Sequence, residues 1–96
     1  MTTKALLKEK REEILRVANK HGVTRIRVFG SAARGDDTPE SDIDFLIDVE
    51  GPTTPWFPGG LIIDLEKLLG RKVEVVTEDS IYWLLRRRIL KEAVPL

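Results

Sequence analysis

The chain has 96 residues and no cysteine, and its 16 basic residues balance its 16 acidic residues. This length allows one compact domain over residues 1–96, without a second domain to grip a large substrate. Hydrophobic residues make up 42% and charged residues 33% of the chain, as in ordinary globular proteins. The lack of cysteine excludes disulfides and thiolate zinc sites and predicts a cytoplasmic location. Zero net charge argues against stable nucleic-acid binding, and no apolar run is long enough to cross a membrane.

Helical and strand patterns alternate along the chain. In order, the patterns predict a helix (3–20), a strand (25–29), a short helix (32–34), a strand (41–49), a helix (61–69), a strand (72–77) and a last helix capped by Ser80 and running to about Ala93. A long Pro- and Gly-rich loop is expected over 50–60. This order predicts a single small layered α/β (α+β) domain, with a mixed sheet of three or more strands flanked by helices.

The second strand carries two carboxylates on one face. Ile43, Phe45 and Ile47 alternate with Asp42 and Asp44, so the apolar face fixes the register and both aspartates point the same way, about 6.5 to 7 Å apart. Two such carboxylates repel each other unless a cation lies between them. Magnesium is the usual cation where phosphates are also bound. The alternative is an exposed strand face that happens to be acidic.

Three other features complete the candidate site. Glu74 interrupts an apolar strand and would face away from its valine neighbours, either to join the metal site or to meet water at a sheet edge. Gly30-Ser31 directly follows a strand, where a phosphate can approach the backbone closely, although such a pair is also common in plain turns. Arg34 either neutralises phosphate charge or lies on the surface.

Taken together, Gly30-Ser31, the ten intervening residues, Asp42-x-Asp44 and a later strand acid resemble the DNA polymerase β-like nucleotidyltransferase superfamily. Segments 29–48, 70–77 and 89–94 are similar to its minimal members, which are antitoxins encoded beside a toxin with a HEPN domain, a helical ribonuclease. The resemblance covers nearly all of the chain and implies the polymerase β-like nucleotidyltransferase fold.

This resemblance also implies an activity, the transfer of AMP from ATP to a tyrosine of that HEPN toxin. Carried onto this sequence, Asp42 and Asp44 would hold two Mg²⁺ ions, and Glu74 would complete the catalytic metal site and help to deprotonate the attacking hydroxyl. Gly30 and Ser31 would hold the β- and γ-phosphates. Short relatives often carry an aspartate where this chain has Glu74, so the geometry of the second metal stays open.

Two other functions remain open from the sequence. One is an antitoxin that works by binding alone, with a vestigial site. The other is nucleotide transfer to RNA ends or to a small molecule, although relatives with those activities carry an extra acceptor domain. Trp56-Phe57 could flank the adenine, contact the toxin or anchor a loop on the core. One of Tyr82 and Trp83 is expected to pack in the core.

Overall fold

The computed structural model describes residues 2–53 and 56–96, which form a four-stranded sheet and five helices. The helices are α1 (Thr3–Glu9), α2 (Arg11–Lys20), α3 (Gly30–Arg34), α4 (Gly59–Leu69) and α5 (Trp83–Glu92), and the strands are β1 (Val23–Phe29), β2 (Ile43–Val49), β3 (Val73–Thr77) and β4 (Val94–Pro95). The sheet order is β3-β2-β1-β4. Because β2 is antiparallel to β1 and parallel to β3, the predicted mixed sheet is confirmed. Within the described ranges, no helix has the length and apolar character needed to cross a membrane.

One face of the sheet forms the hydrophobic core. Ile43, Phe45 and Ile47 of β2 have no exposed surface, and they belong to one cluster with Ile14 of α2 and Leu65 of α4. The alternation of a strand sends their neighbours to the opposite face. The predicted register of this strand is therefore confirmed, and the second face of the sheet carries Asp44 and Asp48 beside Leu46, which is also fully buried.

The predicted first helix is wrong in one respect, because it is divided into α1 and α2 at Lys10. Lys10 lies at φ −95° and ψ 7°, outside the helical region. The break costs few backbone bonds, since the Lys10 N–H donates to Leu6 O at 3.0 Å and the Lys10 carbonyl accepts from Ile14 N at 2.8 Å. No apolar residue lies between Leu7 and Ile14, so no core contact holds the two segments on one axis.

The last helix begins at Trp83 with Tyr82 in the cap position, two residues later than predicted. Ser80 does not cap it, because the Ser80 hydroxyl bonds back to Thr77, donating to the Thr77 carbonyl at 3.0 Å. Residues Glu78–Ser80 form a separate 3-10 turn. The helix ends at Glu92, and Val94–Pro95 then pairs antiparallel with Arg27 and Val28 of β1. The chain thus ends in a short edge strand, a position that tolerates proline.

The aromatic residues behave differently from one another. Phe57 is half-buried against the core, as expected of a loop anchor, whereas Trp56 is 83% exposed. Tyr82 and Trp83 are both exposed, so the prediction that one of them packs in the core is wrong. The predicted loop over 50–60 is shorter than expected, since α4 already includes Gly59 and Gly60, and its residues 54 and 55 lie outside the described residues.

Candidate active site

Strand register brings the predicted carboxylates together on the open face of the sheet. Asp44 of β2 pairs with Glu74 of β3 on one side and with Phe29 of β1 on the other. Gly30 follows Phe29 directly and begins α3. Asp42 is exposed and lies one residue before β2. Asp44 is therefore the centre of the site, between Glu74 and the turn at Gly30.

Asp44 has an unfavourable environment for a negative charge. The pKa of Asp44 is raised to about 6, and burial is the largest cause. The charge of Glu74, a hydrogen bond with Glu74 and the charge of Asp42 raise this pKa further. The charge of Arg34 lowers it. A hydrogen bond between two carboxyl groups requires a proton on one of them. Arg34 therefore does not balance the carboxylates around Asp44, and a proton or a metal cation can provide the remaining positive charge.

The side chains around Asp44 suit a hard divalent cation in their chemistry. Asp42, Asp44 and Glu74 offer only carboxylate oxygens, which are the ligands of Mg²⁺ in proteins. Among the residues that the structure describes, no three acidic, histidine or cysteine side chains are already grouped as a metal site. A cation held by all three carboxylates thus needs a rearrangement of side chains, with Asp44 and Glu74 as the pair already in contact.

Gly30 is required at its position by the backbone and by Asp44. Its φ is +72°, in the left-handed region, and a Cβ there would lie 3.2 Å from Asp44 Cγ and still closer to Asp44 Oδ2. Any other residue would be strained and would push the carboxylate away. The glycine therefore lets the backbone of the turn reach the carboxylate of Asp44, a contact that the sequence did not predict.

Glu92 is a member of the site that sequence reasoning missed. Its carboxylate accepts a hydrogen bond from the Gly30 N–H at 2.8 Å and one from Arg34 Nη1 at 2.6 Å. Burial would raise the pKa of Glu92, but these bonds lower it, and the bond with Glu92 raises the pKa of Arg34. Arg34 also donates to Asp36 at 3.2 Å. The arginine lies on the surface with two acidic partners, and the amide of Gly30 has a carboxylate partner.

The turn before Asp42 is held by Arg71. The Arg71 guanidinium donates to the Thr38 carbonyl at 3.0 Å and to the Ser41 carbonyl at 2.6 Å. It also lies 3.7 Å from Asp37. Because Ser41 is the neighbour of Asp42, these contacts fix the backbone that presents the exposed Asp42 carboxylate. No motif in the sequence connects Arg71 with this role.

A buried cation lies on the same face of the sheet as Asp44. Arg27 pairs with Leu46 across the β1–β2 ladder, and its Nη2 lies 3.3 Å from Glu78 and 3.9 Å from Asp48. Glu78 in turn contacts Arg86 of α5 at 3.6 Å. Asp48 is partly exposed and belongs to this ion-pair network, which connects the sheet with α5.

A mixed sheet with paired carboxylates beside a glycine turn is the arrangement of a nucleotidyltransferase. The family model of the nucleotidyltransferase domain matches residues 8–96, so the chain belongs to this family, as its motifs predicted. Among its relatives, a Methanocaldococcus jannaschii chain named as a candidate protein adenylyltransferase is 40% identical over 88 residues, which cover 92% of this chain and 95% of the relative.

Solved structures agree with this assignment. The structure of a candidate minimal nucleotidyltransferase superimposes with a TM-score of 0.85 at 40% identity, covering 100% of this chain and 97% of the other. A toxin–antitoxin structure with AMP-PNP superimposes with a TM-score of 0.74 at 20% identity, covering 88% of this chain and 69% of the other. The second likeness shows that the fold is shared.

Proposed function

We propose that this protein transfers AMP from ATP to a hydroxyl of a protein, and that the acceptor is a tyrosine of a HEPN ribonuclease toxin that it silences. The observation that carries the proposal is the pairing of Asp44 with Glu74 directly beside the Gly30 turn. The relative named as a candidate protein adenylyltransferase supports the choice of a protein as acceptor. The toxin–antitoxin neighbour, solved with an ATP analogue, supports a toxin as the partner.

Each residue of the candidate active site has its own role in the proposed reaction. Asp42, Asp44 and Glu74 would hold Mg²⁺, which when bound supplies positive charge to the phosphates and to the attacking oxygen. The Ser31 hydroxyl and the backbone at Gly30 would receive the β- and γ-phosphates, and Arg34 adds positive charge beside them. For the Gly30 amide to bind a phosphate, the carboxylate of Glu92 has to release it.

The proposed step is an in-line displacement. The acceptor oxygen forms a bond to the α-phosphorus, the bond from that phosphorus to the bridging oxygen breaks, and pyrophosphate leaves with the electron pair. Glu74 takes the hydroxyl proton and passes it to water. Such transfers depend mainly on positioning and on charge stabilisation, so a site of carboxylates and backbone donors is sufficient without a nucleophilic side chain.

The test is the intact mass of the toxin encoded beside this chain after co-expression with it. A mass gain in steps of one AMP is expected with the wild-type chain and is lost with Asp42→Ala plus Asp44→Ala. Asp48→Asn, a change on the same strand, is the control and should retain the gain. A complex with no mass gain would favour an antitoxin that acts by binding alone. Labelled AMP found only in RNA, when ATP, RNA and toxin are offered together, would refute the proposal.

A further inference from the structure

The first half of α5 is exposed to solvent on more than one face. Seven consecutive residues, from Tyr82 to Arg88, are all exposed, although a helix turns by about 100° per residue. Exposure is therefore not confined to one face. None of the ten residues of α5 is fully buried. A helix of this length is only marginally stable in water on its own. Its exposed side chains are therefore suited to burial against a binding partner.

The exposed surface has both apolar and basic character. Tyr82, Trp83, Leu84 and Leu85 are four of the seven large hydrophobic residues that are exposed in the described chain, with Trp83 at 73% and Leu84 at 59%. A run of three arginines and Lys91 follow on the same helix. We call the side chains of residues 82–88 the α5 surface. A solvated helix does not need four adjacent large apolar residues, and such a patch marks an interaction site.

We propose that the α5 surface is the docking site for the acceptor protein, and that it lies in an apolar groove of that protein with acidic residues at its rim. The proposal rests on the proposed function, because the occupant is the protein that receives AMP. A helix laid in a groove is a common mode of protein recognition, and it explains why more than one face is apolar. The arginines require acidic partners at the edge of the groove.

Charge excludes a second copy of this chain as the best occupant. A two-fold dimer through α5 would gather Arg86, Arg87 and Arg88 of both chains, six arginines in all, at one interface. Arg86 has Glu78 as a partner at 3.6 Å, but within the described residues no ion pair is seen for Arg87 or Arg88. Like charges would therefore meet without compensation.

Single-stranded RNA fits the α5 surface less well than a protein does. Its bases could stack on the rings of Tyr82 and Trp83, and its phosphates could meet the arginines. The aliphatic side chains of Leu84 and Leu85 offer nothing to stack on, yet they make up half of the apolar residues. A groove lined by apolar side chains buries all four.

The α5 surface is also continuous with the active site. The C-terminal residue of the helix, Glu92, contacts the Gly30 amide at 2.8 Å. Nine residues separate Trp83 from Glu92, which is about 13.5 Å along a helix axis. If the acceptor protein binds α5 in a groove, an acceptor side chain beside that groove can therefore reach the carboxylates of the candidate active site. This geometry would place a docked acceptor beside the candidate active site.

The experiment measures the affinity of the purified chain for the co-expressed HEPN toxin, with single substitutions on the α5 surface. Trp83→Ala and Leu84→Glu are each expected to weaken the complex about tenfold or more. Arg87→Glu should weaken it and reduce its dependence on salt. Ile63→Glu is the matched control, because Ile63 is 53% exposed but lies on α4, which contributes to the core on the other side of the sheet. All four sites are exposed, so unchanged melting temperatures are expected.

The outcomes separate the two proposals. Wild-type affinity in all three α5 variants would overturn the docking site, while AMP transfer to the toxin would leave the proposed function intact. Loss of affinity in the α5 variants, together with no AMP on toxin incubated with ATP and the wild-type chain, would support the docking site and refute transfer. A tenfold loss of binding to a single-stranded RNA oligonucleotide on Trp83→Ala, with toxin affinity unchanged, would assign the surface to RNA and overturn the proposal.

Discussion

Replacing Asp44 by asparagine should stabilise the metal-free protein while it abolishes transfer. Burial and the neighbouring acids Glu74 and Asp42 raise the pKa of Asp44 to about 6, which means that folding places this carboxylate where its charge is unfavourable. Asparagine has nearly the same shape and carries no charge. The substitution therefore removes an electrostatic cost of folding together with a metal ligand.

The size of the effect follows from the pKa. The difference from the ordinary value of 3.8, at about 1.4 kcal/mol per pKa unit, gives an upper bound of about 3 kcal/mol. Asp44 is only partly buried, so solvent screening reduces this to about 1–1.5 kcal/mol. Because the native state binds the proton more tightly than the unfolded chain, the wild-type free energy of unfolding falls as pH rises from about 4 to about 6. The advantage of Asp44→Asn is thus absent at pH 4 and complete above pH 7.

Urea unfolding of both proteins with EDTA, at pH 4 and at pH 8, tests this reasoning. Asp79→Asn is the control, since Asp79 is exposed and forms no ion pair with the described residues; it should show no such dependence. Added Mg²⁺ should raise the stability of the wild type alone. Equal stability of Asp44→Asn and wild type at pH 8, or an equal gain at both pH values, would refute the electrostatic argument.

Substitutions at four further residues test the contacts that support the site. Gly30→Ala should lower the free energy of unfolding by about 1–2 kcal/mol from left-handed backbone strain alone, with more from its contact with Asp44, as measured in urea. Glu92→Ala should lower the free energy of unfolding by about 1–2 kcal/mol, because it removes hydrogen bonds to a charged group. In a double-mutant cycle, adding Arg34→Ala to Glu92→Ala should lower the free energy of unfolding little further. Phe45→Ala should cost about 3–5 kcal/mol, whereas Phe45→Leu should cost less, and thermal melting compares the two.

The register of the central strand could be predicted from the sequence because Asp42, Asp44 and Asp48 alternate with large apolar residues. Ile43, Phe45 and Ile47 fall on one face, and a shift by one residue would bury Asp44 in the core. That single pattern fixed the register of the central strand and predicted which face is open. The pairing of Asp44 with Glu74 then depended only on β3 lying parallel to β2, which strand order and spacing do not decide.

The contacts that could not be predicted from the sequence join residues far apart in the chain. Glu92 reaches Gly30 across 62 positions, and Arg71 reaches Thr38 across 33. Neither residue stands in a pattern that distinguishes it from a surface charge. The error at Ser80 has the opposite cause, since the local signal for a helix cap was present but the hydroxyl bonded to Thr77. Local signals of this kind cannot decide between two local structures.

Glu92 holds the Gly30 turn in place beside the carboxylates of the candidate active site. The Gly30 amide points at a carboxylate in this structure, and a phosphate would seek the same N–H and the same Arg34 side chain. Glu92 ends α5, so the residue that holds the Gly30 turn lies on the same helix as most of the α5 surface. ATP binding at Gly30 is therefore expected to compete with the Glu92 carboxylate for one N–H and one guanidinium group.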